Sequence, residues 1–189
     1  MSKIYIIKNG LTDYIEGDLN SITNGTNMFN NCTNITTFTS DLSSLTNGSS
    51  MFYYCKLITT FTSDLSSLTN GSRMFYSCEQ LTTFTSDLSS LVDGSSMFSY
   101  CSKFTTFTSD LSSLTNGSNM FGSSTYNCTK LNLQSVQNIA TTINDLAAQG
   151  KTGSINIGMT NTIQGNTELE AALATIRSKG WTVSEIYKS

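Results

Sequence analysis

The chain has 189 residues, a formal net charge of −3 and only 12% charged residues. That length suits one domain, and the acidic balance lacks the basic footprint that neutralises phosphates, so nucleic acid is excluded as a partner. No apolar run approaches a membrane span, and the absence of any histidine removes the usual zinc ligand and the usual general base.

Residues 3–16, KIYIIKNGLTDYIE, place two β-favouring runs around Asn9-Gly10, a strong hairpin signal. The opening has one lysine and then four apolar residues, too short for the apolar core of a secretory signal. Residues 18–27, DLNSITNGTN, match the second half of the unit that follows, DLSSLTNGSS. Residues 1–27 therefore read as a hairpin plus a degenerate coil that shields one end of a repeat array.

Residues 28–130 carry that array. Met28, Met51, Met74, Met97 and Met120 stand 23 residues apart, each followed by Phe. Cys32, Cys55, Cys78 and Cys101 keep the step, as do Phe38, Phe61, Phe84 and Phe107, and Asp41, Asp64, Asp87 and Asp110. A fixed period in the ~20–29-residue range predicts a solenoid of short strand-plus-turn coils. Within one coil, residues 58–63 predict a strand with Phe61 inward and Thr60 and Thr62 outward. Asp64 predicts the cap of a single 3₁₀ or α turn bearing Leu65 and Leu68. Asn70-Gly71 is expected to supply positive φ for the next bend. Residues 72–78 predict a second turn with Met74 and Cys78 on one helical face. The core per coil is then Ile, Phe, two Leu, Met or Phe, and Cys. Stacked thiols ~4.8 Å apart rarely present a disulfide torsion, so the Cys column reads as reduced, buried small hydrophobes.

After Met120 the pattern breaks: Cys128 follows by eight residues where Cys101 follows Met97 by four, an insertion of four. In residues 131–189 the grammar changes. Residues 131–133 predict a strand, and 135–148 a helix with Val136, Ile139, Ile143 and Leu146 on one face, stopped by Gly150. Residues 155–157 predict a strand, 166–179 a helix facing inward through Leu169, Leu173 and Ile176, and 183–187 a last strand, with Trp181 packed in the cap. These are read as strand–helix coils that continue and cap the same sheet.

The order C-x-x-[LIF]-x-x-F-x-x-x-L-x-x-L-x-x-x-x-x-M-F-x-x-C resembles the BspA-like leucine-rich repeat over about residues 15–130. Its carriers are Phe52 and Cys55, Phe75 and Cys78, and Phe98 and Cys101, with Ile58, Leu81 and Phe104 opening the strands. The Met-Phe pair also resembles repeats of bacterial and mycoplasmal surface proteins. The resemblance implies an α/β repeat solenoid, right-handed and curved, with one parallel sheet and short turns or 3₁₀ segments on the convex side. It further implies a secreted or cell-surface protein, often bacterial, that binds a host protein or glycan. The family's usual strand proline is missing, since the chain has no proline.

Exposed positions are where the copies differ. The pair between Phe and Cys reads Asn30-Asn31, Tyr53-Tyr54, Tyr76-Ser77 and Ser99-Tyr100. Tyr53, Tyr54, Tyr76 and Tyr100 are expected on one edge, with Lys56, Arg73 and Lys103 nearby, and Tyr and Arg are favoured at binding hot spots. Thr60, Thr62, Thr83 and Thr85 belong to two columns that serve either as ordinary exposed strand residues or as a repetitive polar surface for a ligand. The Asp column reads as turn caps, with bridging calcium as the alternative. No metal, cofactor or catalytic residue is assigned: the serines have no histidine base, and a uniform carboxylate column gives no acid–base pair. The expected function is a monomeric, non-catalytic adhesion or recognition module. The alternative is a structural protein whose Thr columns meet a repetitive surface or further copies of itself.

Overall fold

The structure is a computed structural model, and it describes residues 5–8, 13–16, 19–122 and 129–188. The array is a solenoid. Ile58, Phe61, Leu65, Leu68, Met74, Phe75 and Cys78 of one coil are all buried, as are their equivalents in the neighbouring coils. Both Met and Phe of each pair enter the core, except at the first pair, where Phe29 is buried and Met28 only partly so. A copied core makes the interior a set of parallel columns, and two of these are phenylalanine. Phe29, Phe52, Phe75, Phe98 and Phe121 stack at 5.2, 5.4, 5.6 and 5.7 Å between centroids. Phe38, Phe61, Phe84 and Phe107 form the second column at 5.7, 5.8 and 6.3 Å. The columns interlock edge to face, with Phe61 4.8 Å from Phe75, the geometry ring quadrupoles favour.

The predicted strands are present but short. β3 (Thr37–Phe38), β4 (Thr60–Phe61), β5 (Thr83–Phe84) and β6 (Thr106–Phe107) are two residues each. They pair in parallel as β3-β4 and β5-β6, so the expected single sheet is broken into pairs. A second ladder joins more coils, through parallel bridges from Asn24 to Asn47, Asn70, Asp93 and Asn116 in turn.

The wall between these ladders differs from the expected helical turns. Gly71, Arg73, Phe75 and Ser77 donate their N–H groups to Asp93, Ser95, Met97 and Ser99 of the next coil, at 2.9, 2.9, 3.0 and 2.9 Å. Met74, Tyr76 and Cys78 donate within the coil to Gly71, Arg73 and Phe75. Alternate donors thus point in different directions, which a helix cannot do because its N–H groups all run along its axis. Positive φ accomplishes the alternation, at 56° for Arg73 and 59° for Ser77. Gly71 is not in that region; there a Cβ would come within 3.2 Å of Leu68, Leu91 and Met97. The Asn-Gly pair therefore supplies smallness at Gly71, while Asn70 Oδ1 accepts the N–H of Ser72 at 3.0 Å. The Asp column does cap its turns: Asp41, Asp64, Asp87 and Asp110 accept the N–H groups of Ser43, Ser66, Ser89 and Ser112 at 2.8, 2.8, 2.8 and 2.6 Å. Each Asx turn leads into a single i→i+3 turn, in which Leu45, Leu68, Leu91 and Leu114 donate their N–H groups to the carbonyls of Leu42, Leu65, Leu88 and Leu111 at 2.8, 2.9, 2.9 and 3.1 Å, as the leucine spacing predicted.

Cys32, Cys55, Cys78 and Cys101 are buried thiols, while Cys128 and the four-residue insertion lie outside the described residues. The thiols of Cys55, Cys78 and Cys101 donate to the carbonyls of Phe29, Phe52 and Phe75 in the preceding coil. Burial pushes the Cys78 and Cys101 thiols well above their ordinary value. They stay protonated in the fold at pH values where the unfolded chain ionises, above about pH 8.5. Stability is therefore fully present below that pH and falls above it, by ~1.4 kcal/mol per pH unit for each thiol. Urea midpoints should decline above about pH 8.5, and less steeply in a Cys78→Ala, Cys101→Ala variant. Equal slopes in both proteins would refute this assignment.

At the N-terminus β1 (Tyr5–Lys8) and β2 (Asp13–Glu16) pair antiparallel, with Lys8 opposite Asp13. The expected Asn9-Gly10 turn lies outside the described residues. Beyond the array, β7 (Gly117–Phe121), β8 (Gly153–Thr160) and β9 (Trp181–Lys188) form a parallel sheet in that order. This sheet grows from the Gly-Ser-Asn-Met-Phe segment, not from the Thr-Phe strands that it was expected to continue. The edge of β6 is met instead by the entry to helix α1 (Leu133–Thr142). Asn132 donates its N–H to Thr105 at 3.0 Å, and Ser135 Oγ accepts the N–H of Phe107 at 2.9 Å.

The strand predicted at 131–133 reduces to a bridge between Leu131 and Met159, because Asn132 caps α1 through Ser135. The helix predicted to 148 ends at Thr142. There the Asn144 N–H bonds Leu111 and its side-chain amide bonds Leu114, each at 3.1 Å, which draws the chain onto the last coil. A 3₁₀ turn, Ala147–Gln149, follows before Gly150. Helix α2 (Thr167–Ser178) is capped by Asn166 and buries Leu169, Leu173 and Ile176. Lys179 Nζ donates to the carbonyls of Ala140, Thr141 and Ile143 at the end of α1, a cation at a helix C-terminus. Trp181 is buried and donates its indole N–H to the Asn144 carbonyl at 2.8 Å.

Candidate functional site

The Phe-x-x-Cys corner places two residues per coil beside the core; the tyrosines at these positions are half-buried, whereas Ser77 and Ser99 are buried. The second of them has positive φ in every coil: 60° for Asn31, 62° for Tyr54, 59° for Ser77 and 65° for Tyr100. This backbone turns Tyr54 and Tyr100 toward their neighbours. Tyr53 lies 4.7 Å from Tyr54 and stacks on Tyr76 at 4.9 Å and 16°, and Tyr76 lies 4.9 Å from Tyr100. The four predicted tyrosines therefore form one half-buried strip across three coils. Partial burial, reinforced by a hydrogen bond with Tyr100, pushes the Tyr76 phenol from 10.0 up to about 12, so it stays protonated.

Beside this strip lies a pocket of about 340 Å³, lined by Tyr53, Tyr76, Tyr100, Arg73, Ser99 and Asn119 together with Ser96. Of the three cations expected nearby, only Arg73 reaches it. Lys56 pairs with Glu79 at 2.9 Å, which raises its pKa, and lies 5.6 Å from the Tyr54 ring. Lys103 donates to Gln80 at 2.6 Å. Both pairs link residues one repeat apart, and the exposed Lys56–Glu79 pair contributes little stability. Ser96, Ser99 and Asn119 are lining residues that the sequence reading missed. Ser96 and Asn119 share the Arg73 column, which reads Asn27, Ser50, Arg73, Ser96 and Asn119, all at positive φ; variation in that column was the available signal.

Thr60, Thr62, Thr83 and Thr85 are exposed, as their alternation predicted, but none lines the pocket. Thr37 pairs with Thr60, and Thr83 with Thr106. The neighbouring exposed column is committed to the solenoid, since the Thr59 hydroxyl donates to the Thr36 carbonyl at 3.1 Å.

The coil period, the Phe-x-x-Cys corner and the buried columns have a counterpart among known families: residues 20–154 match the BspA type leucine rich repeat region, in six copies. The chain belongs to that family. The BspA-type region takes in α1 and the first residues of β8, past the end of the regular 23-residue spacing. Comparison with curated proteins and with solved structures gives no match. As a BspA-type leucine-rich repeat protein, the chain is of a kind that generally serves as a scaffold rather than an enzyme.

Proposed function

We propose that this BspA-type protein is a non-catalytic recognition module that binds a host protein or glycan, with the tyrosine strip and its pocket as the contact surface. One observation carries the reading. Tyr54, Tyr100 and Arg73 occupy positive-φ positions where the outer coils use asparagine, at Asn31, Asn27 and Asn119. A branched or bulky side chain in that region costs ~1–2 kcal/mol, whereas Asn tolerates it through local hydrogen bonding. Large side chains held at unfavourable backbone positions are characteristic of functional surfaces, and Tyr and Arg are the residues that dominate binding energy.

The test is a glycan-array and matrix-protein binding screen on wild type and on a Tyr53, Tyr54, Tyr76, Tyr100→Asn variant. Asparagine is native to both corner positions, at Asn30 and Asn31, so the variant should fold, which circular dichroism checks. Binding should be lost in the variant. Binding that survives would move the site to the Thr columns at Thr60, Thr62, Thr83 and Thr85. Assembly that grows with concentration, in place of a monomer, would favour the self-assembling alternative.

A further inference from the structure

The pocket has a chemical bias that narrows the ligand, given the recognition reading above. Its walls are hydroxyls, an amide and one guanidinium: the Tyr53, Tyr76 and Tyr100 side chains, Ser99, Asn119 and Arg73. At about 340 Å³ it sits at the low end of small-ligand clefts, ~300–1,000 Å³, which suits a single head group rather than a long peptide. Two of the tyrosine faces are already spent on each other, since Tyr53 and Tyr76 stack at 16°, so the rings offer the cavity edges and phenol groups more than apolar area. Ser99 Oγ donates to the Asn119 carbonyl at 2.6 Å, which leaves its lone pairs to accept from a ligand hydroxyl.

Arg73 supplies the charge. Unlike Lys56 and Lys103, it makes no ion pair or side-chain hydrogen bond among the described residues. Its planar fork is matched to carboxylate and sulfate oxygens, which it grips in pairs. An uncompensated guanidinium in a chain of net charge −3, ringed by hydroxyls and held at φ 56°, is complementary to a polyhydroxylated anion.

We propose that this pocket binds an anionic saccharide residue, a pyranose bearing a carboxylate or sulfate, with the anion on Arg73 and the ring hydroxyls on the Tyr, Ser and Asn groups. An acidic peptide side chain would satisfy Arg73 but leave the remaining hydroxyls unpaired on ligand binding.

Saturation-transfer NMR and calorimetry with N-acetylneuraminic acid, glucuronic acid, galactose 6-sulfate and neutral galactose provide the test. Wild type should bind one or more of the anionic sugars at least about tenfold more tightly than galactose, the scale of a charge-assisted hydrogen-bonded pair. The affinity should fall as salt is added. Arg73→Asn keeps the residue type native to this column and should weaken anionic binding about tenfold or more, with its thermal midpoint unchanged or raised. Arg73→Lys should fall between, because an ammonium cannot grip two oxygens. Preference among the anionic sugars identifies the source of the anion, carboxylate or sulfate. Equal binding of galactose, or full anionic affinity in Arg73→Asn, overturns the proposal. So does the absence of transfer from all four sugars. In any of these cases, matrix-protein or glycan binding that disappears in the tyrosine variant still upholds the recognition module, and its absence removes both readings.

Discussion

Phe75→Ala is expected to destabilise the fold by about 3–5 kcal/mol, measured as the shift in urea-unfolding free energy. Phe75 is fully buried. It stacks on Phe52 at 5.4 Å and Phe98 at 5.6 Å, and meets Phe61 at 4.8 Å and Phe84 at 5.4 Å edge to face. Truncation therefore opens a cavity that touches both neighbouring coils. In a solenoid, stability is close to a sum of coil terms and nearest-neighbour interfaces, so one substitution in a central coil weakens two interfaces together. Phe29 stacks on Phe52 on one side only within its column, and Phe29→Ala should cost less. A Phe75→Ala loss under ~1.5 kcal/mol, or one no larger than that of Phe29→Ala, would contradict this account of the core.

The second large effect is expected at Gly180, at the turn between α2 and β9. Its φ is +88°, and a Cβ there would lie 2.8 Å from the Ala147 nitrogen and 3.0 Å from the Lys151 carbonyl oxygen. Those are backbone atoms, fixed by the bonds from the Ala147 and Leu146 N–H groups to the Lys179 carbonyl, at 3.1 and 2.9 Å. Gly180→Ala should therefore cost ~3 kcal/mol, with backbone strain and steric displacement acting together. Gly150 is the internal control. Its φ is +66° and nothing lies within 4 Å of the added Cβ, so Gly150→Ala should cost ~1 kcal/mol, the conformational part alone. Denaturation midpoints of the two variants separate the contributions, and equal losses would show that the close approach at Gly180 relaxes freely.

Much of the interior was readable because a repeated side chain meets the same environment in every copy. Once Phe61 is inward, Phe38, Phe84 and Phe107 follow, and all are buried. The Asp caps and the outward threonines were legible for the same reason: each depends on residues within two or three places along the chain. Boundaries near residue 131 were not. Val136 to Leu146 keep helical spacing, yet Asn144 finds better partners at Leu111 and Leu114, some thirty residues earlier, and the helix stops at Thr142. Helix periodicity reports what a segment can bury and says nothing of which distant carbonyl will end it.

The site divides the same way. Composition placed the tyrosines on one edge, but Tyr76 and Tyr100 occupy different corner positions of successive coils, and only the positive φ at Tyr100 turns the second ring against the first. The pocket likewise needs Arg73 from one coil and Asn119 from two coils later.

By itself, the sequence determined the coil period, the family, the membership of the core and the four tyrosines, because all of these are encoded in residues that recur at fixed spacing. Tertiary structure alone decided that the coil wall is a run of turns bonded alternately to itself and to the next coil. It also decided that the terminal sheet grows from the Gly-Ser-Asn-Met-Phe segment, and that one guanidinium faces a pocket of hydroxyls. Each of these depends on which backbone donor meets which acceptor about 22 or more residues away, a choice made by packing rather than by local preference.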